Sequence, residues 1–556
     1  MSTESTWSRR TWHRKASRPI SIWMITLVIT GLIHPMLPEY RWILIHIFTL
    51  GAITNSIVVW SQYFTEKFLH LSLPDSQRLK QLWKIGTLNA GIIITLLGQL
   101  INQWIITSVG ASIVSLALVW HAVSLARQFR SAKRGQPFAS AVVAYVASAC
   151  CLPFGAFAGA LLSKELVDGY QERVLLAHSV INFLGFVGFA ALGSLSVLFA
   201  AIWRTKITAN YTPWSVGIMA VSLPIIIGGI LLDNGYVAAA GLSAYAAAWL
   251  LCLVGWVKAS ISNLKHLSFA TASVGTAPLW LVGSIIWLII QAVNHHGDLY
   301  HVEVPTIAFV VGFGAQLLLG VMSYLLPSTM GGGASAVRTG SQILGSAGLF
   351  RWTLINGGLL IWLLTEQSWL RVIASLLALS ALAVFLFLLP AAAKAQRGVI
   401  TKKREPRPVE NEPRYNQITA GISVLALLLA AFGGLNPGSA PATNANSDVF
   451  PVTIVAKDMR FDPEIIEVPS GKTLEVTMVN EDDMVHDLKF ANGANSGRVA
   501  PGEEVTFTVG EISTEMDGWC TIAGHRAQGM ELQVIAQSPT PAQTSLPASA
   551  TASPQP

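Results

Sequence analysis

Long apolar runs, each of about 17 to 25 residues, recur along most of the chain, and each can cross a ~30 Å hydrocarbon core as a helix. We count thirteen. They cover Ile20 to Leu37, Trp42 to Phe64, Ile85 to Ile101, Trp104 to Ala126, Ala139 to Leu162, Val174 to Trp203 and Pro213 to Leu232. The remainder are Tyr236 to Val257, Ala277 to Val293, Pro305 to Leu326, Trp352 to Thr365, Leu370 to Leu389 and Ile418 to Leu435. The eleventh is short for a full crossing.

The pattern then changes from long runs to short β-rich ones. Val452 to Ala456, Ile465 to Val468, Leu474 to Val479, His486 to Phe490, Val505 to Val509, Gly518 to Ile522 and Glu531 to Ile535 are separated by turn chemistry such as Pro-Ser-Gly and Ala-Pro-Gly. This spacing predicts an all-β Greek-key sandwich of roughly 85 to 90 residues. The expected organisation is a basic N-terminus over residues 1–19, a polytopic α-helical membrane domain of about 13 helices over 20–435 and a Gly/Pro/Ser/Asn linker over 436–448. A β-sandwich follows over 449–536, and a disordered Ser/Pro/Ala tail over 537–556.

Composition supports that division. Hydrophobic residues make up 52% of the 556 and charged ones 12%, against about 25% charged in a soluble domain. Lysine and arginine fall unequally between alternate loops. Arg9, Arg10, Arg14, Lys15 and Arg18 precede the first run, Arg127, Arg130, Lys133 and Arg134 follow the fourth, and Lys402, Lys403, Arg404 and Arg407 follow the twelfth. The positive-inside rule puts these loops and the N-terminus in the cytoplasm. Thirteen crossings then place the β-sandwich outside the plasma membrane. Basic loops explained by topology do not point to nucleic acid as a partner. Between Asp448 and Glu531 the balance reverses, with sixteen acidic residues against six basic ones.

Candidate chemistry is concentrated near the end of the β-rich segment, in Trp-Cys520-Thr-Ile-Ala-Gly-His525-Arg-Ala-Gln-Gly-Met530. His486 lies upstream. One thiolate, two imidazoles and one thioether form the ligand set of a type 1 (blue) copper site, one copper per chain. Cys150, Cys151 and Cys252 fall inside predicted spans. Cys520 is therefore a lone thiol in an exported domain, where oxidising conditions favour disulfides, and metal ligation gives it a reason to be there.

The Cys-x4-His-x4-Met spacing resembles the copper loops of azurin, plastocyanin and related cupredoxins. That resemblance implies a cupredoxin domain in which Cys520, His486 and His525 bind equatorially and Met530 axially, and whose work is electron transport. The membrane segments around Trp42-Ile-Leu-Ile-His46 and Leu-Leu-Ala-His178-Ser-Val-Ile-Asn resemble the membrane region fused to actinobacterial copper nitrite reductases, itself distantly similar to subunit I of haem-copper oxidases. It implies an oxidoreductase setting, with the nitrite reductase domains missing after Ala536. His295-His296 falls in a loop after the ninth run and no His-x-His stands in the tenth. A complete haem-copper oxygen centre is therefore not expected.

Six of the twelve histidines gather on the predicted outer side: His34, His46, His178, His295, His296 and His301. Ionisable groups inside a membrane are costly and mark cofactor, substrate or proton sites. His34, His46 and His178 are candidates for a haem or quinol site. His121 lies near the opposite end of the fourth run with no partner on that side and is read as structural. The function expected is a membrane-anchored blue copper electron carrier that takes electrons from a quinol donor and passes them to an extracytoplasmic partner such as a copper nitrite reductase. Two other roles use the same residues: a membrane redox enzyme acting on nitric oxide, oxygen or quinol with the cupredoxin as electron donor, and copper handling.

Overall fold

The computed structural model describes residues 9–34, 37, 40–164, 170–206, 210–294, 297, 299, 302–365, 368–408, 449–482, 484–522, 525–526 and 529–537. The chain divides into two compact units, Met1–Asn436 and Pro437–Pro556. The predicted thirteenth span, the linker, His295, His296 and His301 lie outside the described residues, as does the tail after Gln537.

The first unit is helical, and ten of its helices are long and apolar enough to cross a membrane. These are Tyr40–Phe68, Trp104–Ser131, Ala139–Leu162, Tyr170–Trp203, Thr212–Leu231, Gly235–Ile261, Phe269–Asn294, Ala308–Met330, Ala334–Leu364 and Leu370–Ile400. Two further predicted spans are also helices: Arg18–Leu32, of 15 residues, and Asp75–Leu100, of 26. The short eleventh run belongs to Ala334–Leu364, which breaks where Ala347 takes a left-handed φ of 49°. Leu116, Phe154, Phe157 and Trp214 are exposed on outer helix faces. Such surface suits lipid and is poorly tolerated in water. The first unit thus has the layout of a multi-pass membrane domain.

Three of these helices open into wider π-helical turns, over Ile47–Thr54, Ile181–Gly188 and Ala308–Ala315. Each stretch is eight residues long with glycine fifth: Gly51, Gly185 and Gly312. The glycines let a neighbour press on the backbone. A Cβ on Gly51 would fall 2.7 Å from the Trp23 ring, and one on Gly312 would fall 2.7 Å from the Trp280 ring. Trp23 Nε1 donates to Asn89 Oδ1 at 2.6 Å, and Asn89 Nδ2 donates to Asn55 Oδ1 at 2.8 Å. The set recurs as Trp280 Nε1 to Asn356 Oδ1 at 2.7 Å and Asn356 Nδ2 to Gln316 Oε1 at 2.6 Å. The bundle therefore contains an internal repeat. In each copy the indole N–H and the amides satisfy one another, which removes the cost of burying them unpaired.

The second unit is a β-sandwich of two four-stranded sheets. One is ordered β2-β1-β4-β6 and the other β3-β8-β7-β5. The strands are β1 Val449–Lys457, β2 Arg460–Asp462, β3 Ile465–Pro469, β4 Thr473–Asn480, β5 Lys489–Phe490, β6 Glu504–Glu511, β7 Met516–Trp519 and β8 Glu531–Gln537. In β4 every second residue is fully buried, the period-two pattern of a strand with one face on a core. Ile454, Val468, Val476, Met478, Phe490 and Val534 fill the space between the sheets.

Two expectations change here. The run His486 to Phe490 is a strand only over its last two residues, and His486 is held by an isolated bridge to Val499. Cys520 lies just beyond β7 rather than within a strand. Both shifts have one cause: metal-binding side chains need to converge from loop ends, whereas a continuous strand would point alternate ones apart.

Candidate metal centre

His486, Cys520 and His525 come together at one end of the sandwich. Their ligand atoms all lie within 4.8 Å of one another, and all three residues are buried. His486 Nδ1 is 3.2 Å from His525 Nδ1, and Cys520 Sγ is 3.6 Å from the same nitrogen. A d-block ion bound at about 2.0 Å from nitrogen and about 2.3 Å from thiolate sulfur spans ligand edges of about this size. The three atoms thus form a ready-made face for one metal ion. Met530 is fully buried in the same cluster, and its carbonyl accepts the Cys520 N–H at 3.1 Å.

The loop is braced by its own backbone. His525 N donates to the Ile522 carbonyl, Gly529 N to Arg526 and Met530 N to His525. Gly529 takes φ +100°, a conformation costly for other residues, and brings the chain back into β8. Three of the predicted ligands are therefore set by hydrogen bonds that exist without a metal.

Two carboxylates support the site. Asp482 Oδ2 lies 3.0 Å from His486 Nε2 and accepts the Met459 N–H at 3.0 Å, while Oδ1 accepts the Asp458 N–H at 3.1 Å. With Nε2 bound to the carboxylate, Nδ1 turns toward the cluster, the usual arrangement behind a metal-bound histidine. Asp487 accepts the Thr521 N–H at 2.5 Å and also the Thr521 hydroxyl, tying the His486 segment to the residue after Cys520. Asp482 and Asp487 were not legible as site residues. Asp482 stands in Glu481-Asp482-Asp483, which reads as a solvated acidic run, and the weak clue for Asp487 is that it adjoins His486.

Burial pushes the Cys520 thiol up to about 12, with the charge of Asp487 adding to it, while N–H groups of Asp487 and Ile522 act in the opposite direction. His486 is lowered, first by burial and then by His525. The centre therefore favours a neutral thiol on Cys520 and a neutral imidazole on His486 until a cation replaces the thiol proton.

Of the membrane candidates, His46 and His178 are brought together, with ring centroids 6.2 Å apart. His46 Nδ1 lies 2.8 Å from the Trp42 carbonyl, and Trp42 stacks on the imidazole at 3.9 Å. His178 Nδ1 lies 2.8 Å from the Gly155 carbonyl. Carbonyls only accept, so both rings carry the proton on Nδ1 and present a lone pair on Nε2. His34 stands apart from that pair: its Nδ1 meets the Gly31 carbonyl at 2.8 Å and its ring tilts against Tyr40.

Residues 424–515 match the family model of the cupredoxin-like domain. That span includes His486 and ends before Cys520. Among solved structures, the chain is similar to dithionite-reduced auracyanin from the photosynthetic bacterium Roseiflexus castenholzii, with 19% identity over 16% of this chain and 98% of that one and a TM-score of 0.15. It is also similar to auracyanin B, with 15% identity over 17% of this chain and 92% of that one, again with a TM-score of 0.15. No curated protein matches the chain. A cupredoxin-like sandwich carrying a His-Cys-His-Met group is consistent with one type 1 copper.

Proposed function

We propose that this protein is a membrane-anchored blue copper electron carrier. His486, Cys520, His525 and Met530 would hold one copper. The observation that carries the reading is the triangle of His486 Nδ1, His525 Nδ1 and Cys520 Sγ, buried and braced before any metal arrives. Copper held by such donors takes up and gives back one electron. The chain's own residues hold the ligand positions nearly fixed, which suits both oxidation states.

The positive-inside pattern supports a plasma-membrane location with the cupredoxin outside the cytoplasm. A basic acceptor suits the sixteen acidic residues of this domain, and a copper nitrite reductase acting as a separate protein is the partner the resemblance favours. His46 and His178, with Nε2 of each ring left as an acceptor, are the donor-side candidates, for a quinol or a haem.

A redox titration of detergent-purified full-length protein tests this reading. The Cu-thiolate band, at about 600 nm, should bleach and return as a single one-electron step. A protein that binds Cu(I) reversibly but gives no coloured oxidised form is handling copper rather than relaying electrons, and the proposal fails.

A further inference from the structure

A second buried polar chain lies in the helical unit, away from every histidine considered above as a donor site. Lys84 Nζ is 2.9 Å from His121 Nδ1, and His121 Nε2 is 2.8 Å from Ser61 Oγ. Lys84, His121 and Ser61 are each no more than 3% exposed, and they come from three different helices, Asp75–Leu100, Trp104–Ser131 and Tyr40–Phe68. His121, structural by sequence, has a partner on each nitrogen.

The chain has an outer and an inner end. Lys84 lies one helical turn inside Lys80, which is exposed, at the end of the bundle where Lys67, Arg127 and Arg130 are exposed as well. Ser61 lines a cavity of about 90 Å³ bordered by Tyr40–Phe68, Ala139–Leu162, Tyr170–Trp203 and Ala308–Met330. Its lining is mostly apolar, and the room it offers a water is beside its few hydroxyls. Three further hydroxyl-bearing residues line it, Ser56, Tyr145 and Ser194, and the hydroxyls of the last two lie 3.1 Å apart.

Glu66, on Tyr40–Phe68, and His13, on Arg9–Ala16 and packed against that helix, have partners of their own. Glu66 holds Arg78 through two bonds of 2.8 and 2.6 Å and also accepts from Gln62. His13 packs against the rings of Trp60 and Tyr63. Among the described residues no carboxylate lies within ion-pair distance of Lys84. A buried ammonium without a counter-charge is a poor device for stability, since an apolar side chain of similar length would fill the space at lower cost. It is a suitable device for handing on a proton, because lysine can lose one.

We propose that Lys84, His121 and Ser61 form a proton relay between the lysine- and arginine-bearing end of the bundle and water in the central cavity. The proton on Lys84 Nζ passes to His121 Nδ1, the proton on His121 Nε2 passes to Ser61 Oγ, and the Ser61 hydroxyl proton passes to a cavity water. Lys84 is left as a neutral amine and His121 as the opposite tautomer; the reverse shift, in which a cavity water returns a proton through Ser61 and His121 to Lys84, restores both, so protons equilibrate between the two ends of the relay. No electron moves.

The test follows exchange of the His121 ring N–H in full-length protein in nanodiscs, labelled with ¹⁵N-histidine. The signal is assigned by its loss in His121→Gln, and the sample is moved from H₂O to D₂O. Exchange should be complete in the wild type before the protected helix amides begin to exchange, whereas Ser61→Ala, which removes the group that takes the Nε2 proton, should slow it. Lys84→Arg keeps a charged donor in place but cannot release its proton, so it should slow exchange at least about tenfold. A purely structural lysine would be replaced by arginine without that effect. The relay is overturned if the wild-type N–H is as protected as the helix amides, or if Lys84→Arg or Ser61→Ala exchanges as fast as wild type.

Discussion

Asp482 Oδ2 lies 3.0 Å from His486 Nε2, and the same carboxylate is tied by two backbone N–H groups to the turn at Asp458 and Met459. His486 is thereby fixed to a turn of the sandwich through the nitrogen that does not face Cys520. Asp482→Ala should weaken copper binding by about 10- to 100-fold, the usual effect of removing such a partner. Asp482→Asn keeps an acceptor and should lose less. Competition with a chelator of known affinity measures both, and equal affinity in wild type and Asp482→Ala would show that the carboxylate has no part in ligand positioning.

Copper loading should be proton-coupled. Cys520 is pushed up to about 12 by burial in the metal-free protein, so below that pH the thiol must lose its proton as the metal binds. His486 is lowered and is already neutral near pH 7. Affinity therefore rises with pH, by about tenfold per unit between pH 7 and 8, and one proton is released per copper. Calorimetry in two buffers of different ionisation enthalpy counts that proton.

The glycines under the two tryptophans are tight contacts with a direct test. Gly312→Ala places a Cβ 2.7 Å from the Trp280 ring, so the indole must move and its bond to Asn356 is lost. A loss of about 1 to 3 kcal/mol is expected from such overpacking, seen as a lower melting temperature in detergent. Gly283→Ala on the helix Phe269–Asn294 meets nothing within 4 Å and should leave it unchanged or slightly raised.

Asp487 joins the two halves of the metal site through Thr521. Asp487→Ala leaves the Thr521 N–H and hydroxyl without their acceptor; Thr521 is exposed, so water replaces part of what is lost and the cost is about 0.5 to 1.5 kcal/mol. The copper-loaded protein should lose its colour at lower urea concentration than wild type.

Much of this was legible because it is local. Cys520, His525 and Met530 occupy one short segment, and a long apolar run announces a helix without reference to its neighbours. What could not be read depends on distant parts of the chain meeting. Asp482 looks like surface charge until the fold places it behind His486. His121 looks isolated because Lys84 and Ser61 lie 37 and 60 residues away. The strand expected to begin at His486 is shortened because that residue turns inward to meet His525. The three π-helical stretches follow no simple hydrophobic period, and only the glycine shared at their fifth position hints at the repeat.

The visible absorption spectrum of oxidised, detergent-purified protein beside its Cys520→Ser variant tests the central claim most directly. The account predicts an intense band at about 600 nm in the wild type, one copper per chain, and no such band in Cys520→Ser. A copper-loaded wild type without the band, or a variant that keeps it, would contradict ligation through Cys520.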